Sequence, residues 1–159
     1  MTQRINYAEQ SSEYFKKFAA FSTSLNGSSI EEGIRHLVEV RASQMNGCGL
    51  CVDMHIKQAT IHGERALRLH HLAIWRESTL FAPRERAALA WTEVLTRIPE
   101  HGVCDEIYDR VRAQLSEKEI SDLTFIVMSI NAWNRANVAF KTVPGSFDAA
   151  FGLGKANLS

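Results

Sequence analysis

The sequence has no charge of either sign to spare. Its 159 residues carry 18 Lys and Arg against 18 Asp and Glu, a formal net charge of zero. Gripping nucleic acid needs a basic excess to neutralise phosphates, so that function class is excluded as the main task. A neutral surface gives little protection against self-association and is compatible with an oligomer. No apolar run approaches the roughly 20 residues that span a bilayer. The opening MTQRINYAEQSSEYFKKF is too polar for the apolar core of a signal peptide. The expected location is therefore cytoplasmic, with no membrane partner. Cysteine is scarce, at three residues, which is too few for a disulfide framework. The length suits one domain whose core needs no such staple. Period-two alternation bounded by turn pairs does not recur, so strands are not expected. Internal repeats and low-complexity tracts are absent as well.

What is present is helical periodicity broken by turn signals. Tyr14, Phe15, Phe18, Phe21 and Leu25 form an i, i+3/i+4 stripe closed by Asn26-Gly27-Ser28. Ser29 with Glu32 has the spacing of a capping box and predicts the start of a second helix. Its apolar face would carry Ile30, Ile34, Leu37 and Val38. Asn46-Gly47 predicts a turn, and a third helix should run from about Cys48 to Ile61, stopped by Gly63. A fourth would carry Ala66 to Trp75. Pro83 suits the first turn of a fifth, which ends before Pro99. A short sixth covers about Cys104 to Leu115. Ser116 with Glu119 is another capping box, opening a long apolar helix through Phe125, Ile126, Met128, Ile130 and Trp133. The expected fold class is an all-α, single-domain bundle of six to seven helices over residues 1–143. Residues 144–159 hold three glycines with Phe147 and Phe151, and read as a tail that is ordered only by docking, with a neighbouring subunit as the expected surface.

The chemistry concentrates in Cys48-Gly-Leu-Cys51-Val-Asp-Met-His55. At about 100° per residue, positions 48, 51 and 55 fall within an arc of about 60°. Helical i, i+3 spacing puts the two cysteine Cα atoms about 5 Å apart, inside the range a disulfide requires. A free thiol with a pKa of about 8.5 is only about 3% thiolate at pH 7, and a helix N-terminus and a nearby imidazole both favour the anion. His55, one turn beyond Cys51, can take the thiol proton and return it to a leaving oxygen. Two other readings compete. Cys48, Cys51, His55 and His36 would suit a tetrahedral metal site. Alternatively the cysteines are small core residues in an oligomer that binds an apolar metabolite. His70-His71 point apart on a helix and suit structural or surface roles. His62, near a helix end, suits a dipole role better than ligation. Cys104 is expected to pack, Glu85 to sit at a helix N-terminus, and Trp75, Trp91 and Trp133 to join the core.

The stretch Val40-Arg-Ala-Ser-Gln-Met-Asn-Gly-Cys-Gly-Leu-Cys-Val-Asp-Met-His55 closely resembles the alkylhydroperoxidase D-like proteins of the carboxymuconolactone decarboxylase superfamily. The block from Trp75 to Trp91 and Asn131-Ala-Trp-Asn-Arg135 resemble later segments of the same family, so the likeness spans about Ile34 to Ala139. It implies an all-helical fold assembled as a homotrimer or homohexamer. It also implies thiol-dependent reduction of a small peroxide, without a cofactor, by a chain that a dithiol protein then reduces. By position, Cys51 is the peroxide-attacking residue, Cys48 the resolving one and His55 the proton relay. Two departures stand out. The family's relay Glu, twelve residues before the first motif cysteine, is His36 here, and a His between the cysteines is Leu50. Glu32 or Glu39 replaces that Glu only if the helix faces differently from the expected way.

Overall fold

The computed structural model describes residues 2–158. Nine α-helices and no strand occur among the described residues: α1 (Tyr7–Gln10), α2 (Ser12–Ser24), α3 (Glu32–Asn46), α4 (Gly49–Ile61), α5 (Ala66–His71), α6 (Pro83–Thr96), α7 (Asp105–Arg112), α8 (Glu117–Phe140) and α9 (Asp148–Phe151). The seven helices expected from periodicity are there, and α1 and α9 are additional four-residue pieces. Among the described residues no helix is long and apolar enough to cross a membrane.

Helix α3 is the central element and packs on α4, α6 and α8. Its fully covered Leu37, Val38 and Val40 meet Leu89 of α6 and Leu123, Ile126 and Val127 of α8 in one apolar core. Burial of that kind contributes about 1.5–3 kcal/mol for each large aliphatic side chain. Trp75 and Trp91 join this core, whereas Trp133 lies under the outer helix α2, against Phe15 and Phe18. A polar tie reinforces the centre. Glu93 of α6 accepts hydrogen bonds from the Trp75 indole, Arg41 of α3 and Arg76. These bonds outweigh the effect of burial and hold its carboxyl below the ordinary range.

Helix boundaries follow local chemistry in most places. The Ser116 capping box forms, with its hydroxyl receiving the Glu119 N–H and the Glu119 carboxylate receiving the Ser116 N–H. Glu85 likewise caps α6 by accepting the Ala82 N–H. The Ser29–Glu32 box does not form. Ser29 instead donates its N–H and hydroxyl to Asp122 of α8, at 2.7 and 2.8 Å, and α3 starts after an uncapped Glu31. An ionised carboxylate from a neighbouring helix is the stronger acceptor. The expected fourth helix breaks after His71 into a 3-10 segment, Leu72–Glu77, with Ile74 outside helical geometry.

Three surface findings show how the apolar patterns and Cys104 are placed, the last against its expected packing. Helix α2 has no fully buried residue, and Tyr14 is well exposed. Phe125 and Met128 of α8 are exposed too. Cys104 is an exposed free thiol preceding α7, not a packed one. Periodicity identifies an apolar stripe but not whether another part of the chain covers it.

The segment beyond Pro144 lies against α4 of its own chain. Leu153 is buried in a 3-10 turn that packs on α4. Lys57 of α4 bridges Asp53 and Asp148, at 3.0 and 2.7 Å, and the Gly145 N–H donates to Asp53. Pro144 leaves Gly49 little room, since a Cβ there would meet its ring at 3.4 Å.

Candidate active site

The cysteine motif sits where two helices meet at a sharp corner. Helix α3 ends because Gly47 adopts the left-handed conformation, φ +65°, which glycine reaches without steric cost. The Gly47 and Cys48 N–H groups then bond back to Gln44 and Ser43. The chain turns straight into α4, with Cys48 as its N-cap and the Cys48 sulfur accepting the Cys51 N–H at 3.3 Å. Cys48 and Cys51 are joined as a disulfide with their Cα atoms 5.3 Å apart, close to the helical spacing expected. Both residues are 1% exposed and pack with Ala42 and Ile130, apart from the main core.

A second polar group reaches the sulfurs from α8. Asn137 donates its side-chain N–H to the Cys51 sulfur at 3.6 Å, while its carbonyl accepts from the Tyr7 hydroxyl at 3.0 Å. The tyrosine thereby fixes which end of the amide faces the sulfur. Asn137 belongs to a buried seam on α8 with Asn131 and Asn134. Asn46 donates to both of those side chains, and Asn134 donates to Ser43. The i, i+3 repeat of asparagines at 131, 134 and 137 was the available sequence signal, but it does not say which residue meets a sulfur.

His55 follows Cys51 by one turn and is buried with it. Its Nδ1 lies 3.3 Å from the Glu39 carboxylate. His36 is also buried, with Nδ1 3.8 Å from the same carboxylate oxygen. Thus α3 does turn Glu39 toward the motif, and two imidazoles share it. Neither Nδ1 has an aligned hydrogen-bond partner in this arrangement, so the contacts are chiefly electrostatic. Burial works to raise the Glu39 carboxyl, but the facing His55 and His36 and nearby Arg35 outweigh it and hold it below the ordinary carboxylate range. Burial pushes the His55 imidazole below its usual value, with Glu39 opposing. The combination favours an anionic Glu39 beside a neutral His55, with Nδ1 as the protonated nitrogen and Nε2 left basic. Glu39 is the site residue that sequence reasoning set aside, because its facing depends on how α3 docks on α4.

On its other side, His36 Nε2 meets Nδ1 of His62 at 2.8 Å, with the rings nearly parallel. His62 does end α4, as expected, but it also joins this cluster. The four-ligand set of Cys48, Cys51, His55 and His36 is not assembled for a metal, since disulfide sulfurs are not thiolate ligands. His71 bonds to Ser78, and His70 is exposed, in keeping with structural and surface roles.

The chain matches known proteins at the levels of family, sequence and fold. The model of the carboxymuconolactone decarboxylase family matches residues 12–94. The uncharacterized protein YdfG of Bacillus subtilis is 40% identical over 139 residues, covering 87% of this chain and 95% of that one. A crystal structure from Agrobacterium tumefaciens, of a protein of unknown function provisionally described as the antioxidant defence protein AhpD, superposes with a TM-score of 0.87 at 38% identity. It spans 90% of this chain and 98% of its own. An uncharacterized peroxidase-related protein from Ralstonia eutropha, described as an alkylhydroperoxidase AhpD core, shares the fold at a TM-score of 0.77 and 22% identity, over 88% and 74% of the two chains. The helical bundle, the cysteine corner and these likenesses agree: the chain belongs to the carboxymuconolactone decarboxylase family, in its AhpD-like branch.

Proposed function

We propose that the protein is a thiol-dependent peroxidase that reduces a small hydroperoxide and is recycled by a dithiol protein. The observation that carries this reading is the Cys48–Cys51 pair at the start of α4, with the buried His55 and the half-buried Glu39 facing it one turn further along. In the reduced chain, His55 accepts the Cys51 thiol proton at Nε2. The Cys51 thiolate attacks the distal peroxide oxygen, the O–O bond breaks, and the departing alkoxide takes the proton from His55 to leave as alcohol. Cys51 is then a sulfenic acid. The Cys48 thiol displaces its hydroxyl as water and closes the disulfide. Exchange with an external dithiol restores two thiols and leaves the partner oxidised.

Each neighbour has a part in this scheme. Glu39 selects the His55 tautomer and stabilises the imidazolium while it holds the proton. His36 stands on the other side of Glu39 and tunes that carboxylate. The Cys51 N–H stabilises a thiolate on Cys48, and the Asn137 amide does so on Cys51. Because both cysteines are covered, exchange with a protein reductant requires local opening. The exposed Phe21, Phe125 and Met128 supply an apolar face for a homotrimer or homohexamer.

The test is intact mass after alkylation of the fully reduced chain, with and without one equivalent of an organic hydroperoxide. Three alkylated cysteines should fall to one, with the link mapped to Cys48–Cys51. A Cys51→Ser chain should lose peroxide turnover. Three thiols surviving the peroxide, or full turnover by Cys51→Ser, would overturn the assignment.

A further inference from the structure

Beside the buried pair, α3 and the end of α4 frame an open cavity of about 420 Å³ whose lining includes Glu32, His36, His62 and Arg65. Three potential ligand atoms converge on it. Glu32 and His36 are i, i+4 neighbours on α3, so their side chains leave the same face. His62 comes from the end of α4. One donor atom from each of the three lies within 4.8 Å of the others, the one such grouping of His, Cys, Asp and Glu among the described residues. Glu32 Oε1 is 3.9 Å from His62 Nδ1.

The imidazole pair is unusual in its chemistry. His36 Nε2 and His62 Nδ1 are 2.8 Å apart, so the two nitrogens share one proton. A divalent ion placed there would accept both lone pairs, with each ring keeping its own proton on its other nitrogen. Tetrahedral ligation at about 2.0–2.1 Å separates two nitrogens by about 3.3 Å, so the rings need to part by ~0.5 Å and tilt until both lone pairs point at the ion. His36 must then carry its proton on Nδ1, and that nitrogen already faces Glu39. A carboxylate behind a ligating histidine is the arrangement that fixes tautomer and ring orientation at metal sites. Glu32 is more than half exposed, and its Oε1, now 3.5 Å from Arg35 Nη2, must turn from that exposed-side ion pair to reach the ion.

We propose that Glu32, His36 and His62 form a binding site for a divalent transition-metal ion of the imidazole-preferring kind, with zinc as the reference ion. Two imidazoles and one carboxylate leave further coordination positions, and these open into the cavity, where water or an oxygen donor of a small molecule completes the shell. The site uses neither cysteine; it shares His36 and the facing Glu39 with the proposed relay, but its test does not depend on peroxide turnover.

The experiment is calorimetric titration of Zn²⁺ into the disulfide form of the chain, with Cys104 alkylated so that no thiolate competes. One equivalent should bind with a Kd at or below about 1 µM. His62→Ala and Glu32→Gln alter exposed side chains and leave the core intact. His62→Ala should weaken binding by about 100-fold or more and Glu32→Gln by about 10-fold, the order of loss seen when parts of metal sites are removed. Absence of binding at millimolar Zn²⁺, or unchanged binding by His62→Ala, would overturn the proposal. Neither result bears on the cysteine alkylation assay, so the two readings fail separately.

Discussion

The two ends of the buried polar line differ in how they are built. At the sulfur end, Cys48 and Cys51 are consecutive turns of one helix, walled by Ala42 and Ile130 and almost without exposure. Backbone geometry determines that end: the left-handed Gly47, the N-cap Cys48 and the i, i+3 spacing. At the histidine end, His36, Glu39, His55 and His62 come from two helices, and each contact is between side chains. Here the docking of α3 on α4 determines everything, and the outermost pair meets the open cavity. In the proposed scheme this is a division of labour: the reacting pair sits where the chain is stiff locally, and the proposed proton relay where tertiary packing sets distances.

The two ends meet at His55, which sits on the sulfur-bearing helix but faces a carboxylate of the other one. His55→Ala should lower kcat/KM for a hydroperoxide by about 10²–10⁴-fold, the range for removal of a general acid–base group, while the Cys48–Cys51 link still forms on chemical oxidation. A loss of less than tenfold would remove His55 from the relay.

Glu39→Gln acts only through the histidine end and should cost less, about tenfold in kcat/KM, since the base remains but loses its orienting anion. Its signature is in the pH profile. Glu39 raises the His55 pKa against the depression caused by burial, so removing the charge should move the acid limb of kcat/KM to lower pH. Stability supplies a check of sign. Both His55 and Glu39 have folded-state values below their ordinary ones. The stability each contributes is complete above its ordinary value, about 6.5 for histidine and about 4.3 for glutamate, and is lost on acidification. Urea titrations should show the wild type losing stability steadily below pH 6.5, and Glu39→Gln losing less of it between pH 5 and 3.

At the sulfur end the expected effect is smaller and lies in the backbone. Gly47→Ala meets no neighbour, so its cost is purely the left-handed backbone, about 1–2 kcal/mol. Denaturant unfolding should show that loss. Activity per folded molecule should fall as well, because the strain is next to Cys48, while the pH limb governed by His55 stays in place.

Much of the fold was legible because its causes are local. Apolar spacing placed seven helices, and the Asn46-Gly47 and Ser116–Glu119 signals marked true boundaries. The Ser29–Glu32 box failed because Asp122, 93 residues away, offered a stronger acceptor. The α2 stripe divides, with Phe15 and Phe18 against Trp133 and Tyr14 and Phe21 outward, and Phe125 and Met128 of α8 are exposed too, since one amphipathic pattern serves both a covered and an exposed apolar face. At the site, the cysteines and His55 were visible from helical spacing. Glu39, Asn137 and the His36–His62 contact were not, because each joins residues on different helices.

The sequence by itself determined the class of fold, the corner at Gly47, and the common face of Cys48, Cys51 and His55, since all three follow from backbone preferences within a few residues. Only the tertiary structure decided which carboxylate faces His55, which amide faces Cys51, and that His36 and His62 share one proton. Those contacts depend on the rotation of α3 and α8 against α4, and that rotation is set by packing of the whole core, not by any short stretch of chain.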